Sequence, residues 1–117
     1  MPTFGSYVRD RRAGLAQQDR RFSVRQVAGR IGVEPSYLSK VERDQQAPPS
    51  TAKIRALAEE LGEDPDMLLA MAGKVSDDLK AIILRRPRLF AQLIRQLDEQ
   101  PDHAVLRIVR EVRDGNW

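Results

Sequence analysis

The chain has 117 residues and a mass of 13.3 kDa, room for one domain of ordinary size plus an appendage, and this excludes most two-domain enzyme architectures. Hydrophobic residues make up 41% and charged residues 32%, the balance of a folded chain, and the absence of cysteine excludes disulfide frameworks and zinc fingers. The net charge of +3 is unevenly spread: residues 1–43 carry nine Lys or Arg against four Asp or Glu (net +5), residues 44–72 two against six (−4), and residues 73–117 nine against seven (+2).

Apolar residues recur at spacings of three and four, and strand signals are weak, so an all-α chain is expected. Phe4, Val8, Arg12 and Leu15 mark a first helix, crowded with arginine and ending near Gly14; the polar Gln17 to Arg21 reads as loop or frayed helix. Ser23 followed by Gln26 fits a capping box, and the helix it starts buries Val27, Ala28 and Ile31 before Gly32 stops it. Pro35 suits the first position of a second short helix, Pro35 to Arg43. Asp44 to Pro49 is loop, because Pro48 and Pro49 bar a helix. Ser50 caps a helix with Ile54, Leu57, Ala58 and Leu61, ended by Gly62, and Asp64 with Pro65 begins another, with Leu68, Leu69 and Met71, ended at Gly73.

The character changes at Gly73 to Ser76, which divides the chain into a domain at residues 1–73 and an extension at residues 74–117. Ser76 caps a helix with Leu79, Ile82 and Ile83. Pro87 opens one with Leu89, Phe90, Leu93, Ile94 and Leu97, and Pro101 a last one with Val105, Ile108, Val109 and Val112. These helices are too short for a large core of their own, so they pack on the first domain or on a second copy of themselves. The stripe Leu89, Phe90, Leu93, Ile94 and Leu97 is the candidate dimerisation surface, with packing inside one chain as the alternative. Trp117 is left undecided between a free and an anchored terminus.

Two short helices joined by a tight glycine turn within a basic segment form a helix-turn-helix. Ala28 is small where the helices press closest, Gly32 supplies the left-handed turn, and Val27, Ile31, Val33, Leu38 and Val41 fall where burial fixes the interhelical angle. The segment SVRQVAGRIGVEPSYLSKVERDQQAPPS at Ser23 to Ser50, with the pattern Ala-x-x-x-Gly-Val-x-x-x-x-Leu-Ser-x-x-Glu, resembles the Cro-like, lambda-repressor-like helix-turn-helix family, also called the xenobiotic response element family. The resemblance spans about residues 4 to 73. It implies a five-helix domain that binds double-stranded DNA, usually as a dimer on an inverted repeat. The stretch Ala13 to Phe22 departs from it, being longer and more basic than the family's first connection.

A helix fits the major groove with its N-terminal half nearest the base edges. On Pro35 to Arg43, Leu38 and Val41 face inward, leaving Ser36, Tyr37, Ser39 and Lys40 as candidates for base reading, with packing under the loop as the alternative for Tyr37. Ser23, Arg25, Gln26 and Arg43 flank that helix as phosphate candidates. Arg12 and Glu42 correspond to a structural arginine–glutamate pair that the resemblance implies, with a DNA role for Arg12 as the alternative. Arg20 and Arg21 are read either as reaching the DNA or as an exposed charged loop.

An enzyme is not expected. His103 is the only histidine, and it reads as a surface residue. The acidic pairs Asp77 with Asp78 and Asp98 with Glu99 read as helix-dipole complements and surface charge rather than paired catalytic acids. No phosphate-binding glycine loop is present, and no metal or cofactor is expected. The apolar runs fall far short of the roughly 20 residues a bilayer span needs, and Met1 to Arg12 lacks the apolar core of a signal peptide, so a cytoplasmic protein is expected. The favoured function is a dimeric sequence-specific DNA-binding regulator, a repressor. The alternative is an antitoxin-like or adaptor protein whose C-terminal helices bind another protein.

Overall fold

The computed structural model describes residues 1–115, which form eight α-helices and one 3-10 turn with no strand; Trp117 lies outside the described residues. The helices are α1 (Phe4–Ala16), α2 (Val24–Ile31), α3 (Pro35–Glu42), α4 (Thr51–Leu61), α5 (Pro65–Met71), α6 (Asp77–Arg85), α7 (Pro87–Asp98) and α8 (Asp102–Asp114), with the 3-10 turn at Arg20–Phe22. Two compact units divide after Ser76.

In the first unit, short polar side chains start four of the five helices, and α3 opens on Pro35 without a side-chain cap. Thr3 accepts from the Ser6 amide while the Ser6 hydroxyl serves the Thr3 amide, a complete capping box. Ser23 and Ser50 accept from the Gln26 and Lys53 amides, and Asp64 from Asp66. Gly32 and Gly62 close α2 and α4 with φ of 77° and 67°, a backbone region a β-carbon disfavours. The core is drawn from all five helices: Phe4 and Val8; Val27, Ala28 and Ile31; Leu38 and Val41; Ile54, Leu57, Ala58 and Leu61; Leu68 and Leu69. Helix α3 packs against α1 and α2, and α4 against α2 and α5.

Five local expectations are corrected. Helix α1 runs past Gly14 to Ala16. The segment after it is neither loop nor frayed helix at its end: Asp19 caps the Arg21 amide and winds Arg20–Phe22 into a 3-10 turn. Because that turn spends the Ser23 amide on the Arg20 carbonyl at 3.1 Å, Ser23 caps α2 in one direction only and Gln26 does not complete the box. Val33 is partly rather than fully buried, since it sits just outside α2. At α8, Pro101 stands before the first helical residue instead of within the helix.

The second unit is built differently. Helix α6 packs against α7, yet none of its described residues, 77–115, is buried. Leu84, Leu89, Ile94, Leu106, Val109 and Val112 are each more than half exposed. Apolar stripes at helical spacing without a fully buried side chain leave much hydrophobic stabilisation unrealised. Among the described residues no helix is long and apolar enough to cross a membrane.

Candidate nucleic-acid interface

Helix α3 owes its position to contacts on three sides. Leu38 and Val41 press its inner face into the core, each 1% exposed. The α2 carbonyl end is pinned from α4: the Lys53 ammonium donates to the Ile31 carbonyl at 2.8 Å and to the Gly32 carbonyl at 3.3 Å. These are orphan acceptors at a helix end, and a cation there also meets the negative end of the helix dipole. Lys53→Met keeps the aliphatic stem and strands those carbonyls, so urea unfolding should show a loss of about 1 to 2 kcal/mol.

The third contact is the buried pair. Arg12 donates from Nε to Glu42 Oε2 at 2.6 Å and from Nη2 to Oε1 at 3.0 Å, while Nη1 reaches the Phe22 carbonyl at 3.0 Å. One guanidinium therefore ties α1, the 3-10 turn and the end of α3 together. The start of α1 is tied to the same end of α3: Thr3 Oγ1 donates to Asp44 Oδ2 at 2.9 Å, with Asp44 held at φ 60°. Gly5 lies so close that a β-carbon there would be 2.2 Å from the Val41 carbonyl oxygen.

The long basic connection is folded back on the domain. Asp19 receives two hydrogen bonds from Arg21 Nε and one from Nη2. Its carboxyl is held below the usual range, first by that side chain and then by the Arg21 amide. Arg30 donates to Glu60 Oε2 at 2.7 Å and to the Arg21 carbonyl, and its guanidinium lies 5.7 Å from the Phe22 ring centre. Arg21 is thus engaged within the protein, and Arg20 is exposed. On the opposite flank, the Tyr7 phenol is raised by its hydrogen bond with Glu63, then by burial and the Glu63 charge, with Arg11 opposing. Arg11 bonds Glu63 and the Leu61 carbonyl, each at 3.1 Å.

What remains open on α3 is a polar surface. Ser36 and Lys40 are exposed; Ser39 and Tyr37 are half-buried, and Tyr37 packs against the core cluster. Of the flanking candidates, Arg25, Gln26 and Arg43 are exposed. Ser23 is half-buried with its hydroxyl spent as a cap, and Arg43 Nε donates to the Ser39 carbonyl at 3.2 Å. In the second unit Leu89, Leu93 and Ile94 are exposed, and Phe90 and Leu97 half-buried. His103 is exposed, and no group of acidic, histidine or cysteine side chains able to hold a metal occurs among the described residues.

Sequence reasoning missed Lys53, Gly5, Thr3 and Arg30. Only Thr3 carried a local signal, a hydroxyl three residues before Ser6. The other three each act on a residue more than twenty positions away, Arg30 also on the nearer Arg21 and Phe22.

A family model described as a helix-turn-helix domain matches residues 3–71. No curated protein and no solved structure matches the chain.

Proposed function

This chain belongs to the helix-turn-helix domain family, and we propose that it is a sequence-specific regulator of transcription, a repressor that binds double-stranded DNA as a dimer on an inverted-repeat operator. The observation that carries the reading is the split character of α3: Leu38 and Val41 are locked into the core while Ser36 and Lys40 stand open on the same eight-residue helix. Such a rod, wedged against α2 and α1, suits the major groove, where Lys40 donates to guanine O6 and N7 and the serines to several bases. Arg25, Gln26 and Arg43, with the free amides and positive dipole end of α2, serve phosphates and set register. Tyr37, being half-buried, contributes through its exposed edge to a thymine methyl or a phosphate.

The dimer reading is supported by the second unit, whose helices leave their apolar stripes uncovered. Pairing through them brings two α3 helices to half-sites about 34 Å apart, one turn of DNA. If those helices instead hold a different polypeptide, as in an adaptor or antitoxin-like protein, a second chain copurifies in stoichiometric amount and the isolated protein is monomeric.

Selection of duplexes from a random pool tests specificity and symmetry together; an inverted repeat is expected, and recovery of no common motif overturns the reading. On the selected duplex, Lys40→Ala should relax base preference by about 1 to 3 kcal/mol at one position of each half-site. Arg25→Ala should weaken all duplexes alike and reduce the salt slope by about one unit. Unchanged base preference in Lys40→Ala removes Lys40 from the reading set.

A further inference from the structure

We infer that α7 pairs with α7 of a second copy of this chain in an antiparallel contact centred on Leu93, with Arg86 of each copy meeting Asp98 of the other. The inference rests on the dimer reading above and supplies its geometry.

The charges along the three C-terminal helices point to this arrangement. Helices α6 and α8 carry acidic residues in their first turns, Asp77 with Asp78 and Asp102, and an arginine in their last, Arg85 and Arg113, the latter followed by Asp114. That order complements the helix dipole. Helix α7 departs from it at its start. No acid stands in its first turn, and Arg85, Arg86 and Arg88 surround it; its last turn carries Arg95 but closes on Asp98 and Glu99. The arrangement is unfavourable for α7 alone. An antiparallel copy corrects it, because each basic start then lies beside an acidic end, whereas a parallel copy sets arginine against arginine.

Helix geometry selects the pair. At 3.6 residues per turn, Arg88 and Arg95 fall on the side away from the apolar stripe; Arg86 precedes the first turn with a non-helical backbone, and Asp98 falls at the edge of the stripe. The structure places Arg86 on the side of the stripe: with Leu89, Phe90 and Leu93 it lines a hollow of about 150 Å³. Neither Arg86 nor Asp98 has an ion-pair partner among the described residues.

The stripe itself is symmetric about its middle. Leu89 lies four residues before Leu93 and Leu97 four after. A two-fold axis at Leu93 therefore sets each Leu89 against Leu97 of the partner subunit, an isologous contact in which every pairing occurs twice. In that register Arg86 and Asp98 of the partner subunit differ by about 3 Å along the axis, two residues of rise, within the span of an arginine side chain. Residues 77–117 carry eight basic and seven acidic side chains, so two copies meet without strong net repulsion.

Sedimentation equilibrium on the full chain tests the pairing. Arg86→Asp or Asp98→Arg alone should raise the dimer dissociation constant about tenfold, each substitution acting twice in the two-fold assembly, and the combined swap should return it to within about threefold of the starting value. Because the chain contains no cysteine, introduced thiols give an independent readout under a mild oxidant. Leu93→Cys should cross-link to its own copy. Leu89→Cys should do so only when Leu97→Cys is also present. Circular dichroism at the same concentration verifies that each variant keeps its helix content. A dimer in which Leu89→Cys cross-links to itself, or in which the swap restores nothing, overturns the antiparallel contact and leaves the dimer reading standing. A wild-type chain that stays monomeric at tens of micromolar overturns both.

Discussion

Glu42→Ala is expected to destabilise the N-terminal unit by about 3 to 5 kcal/mol, the range for removing one partner of a buried ion pair. The Arg12 and Glu42 side chains are 11% and 4% exposed, and the guanidinium is ringed by Glu42 and the Phe22 carbonyl. Without the carboxylate a full positive charge stays beneath the 3-10 turn with one neutral acceptor. A domain of this size holds only about 5 to 15 kcal/mol in total, so the variant should sit close to its unfolding threshold at 37 °C. Urea denaturation followed by circular dichroism reads the loss directly. The combined change Arg12→Met with Glu42→Leu removes both charges and should recover most of the loss or exceed the wild type. A loss under about 1 kcal/mol in Glu42→Ala means that water reaches the pair, and α3 then owes its tilt to its other contacts, Leu38 and Val41 in the core first among them.

Gly5→Ala is the second large effect, and its sign decides between two physical accounts. Helix propensity alone makes the change stabilising by about 1 kcal/mol, since glycine costs that much relative to alanine inside a helix. Packing makes it destabilising. The added β-carbon would be 2.2 Å from the Val41 carbonyl oxygen and 2.6 Å from Asp44 Oδ1. The aspartate can swing away, but the carbonyl belongs to the backbone of α3, so α1 must lift off or α3 must turn. A net loss of about 1 to 3 kcal/mol is expected by urea denaturation, typical of overpacking. Operator affinity measured where the variant is still folded should fall as well, because the shift acts on the helix proposed to read the bases. A gain in stability would show that α1 and α3 are not pressed together at this point.

The two variants also mark where the sequence is legible. Ser23, Ser50 and Asp64 announce helix starts because a cap acts on an amide two or three residues away, and Gly32 and Gly62 announce helix ends because the left-handed turn is a property of one residue. The pattern from Ala28 to Glu42 identifies the helix-turn-helix because its close contacts lie within fifteen consecutive residues. The Ser23 capping box was misread for the complementary reason: its amide is taken by Arg20, through a 3-10 turn that depends on Asp19 and that no apolar periodicity records. The half-burial of Tyr37 was open in the sequence, since its side chain stands at the boundary between the core face and the outer face of α3.

The sequence by itself determined the all-helical class, the order of the helices, the inward residues of α2 to α5, and the outward placement of Ser36 and Lys40. All of these follow from periodicity and capping, which operate within a turn or two of helix. Only the tertiary structure decided how α3 is held, through Gly5 against Val41, Thr3 on Asp44, Lys53 on the end of α2, and Arg12 bridging Glu42 and Phe22. It also decided that no side chain of the last three helices' stripes is fully buried. Each of these depends on segments brought together from ten to more than forty positions apart, and neither hydrophobic spacing nor helix propensity carries information over that distance.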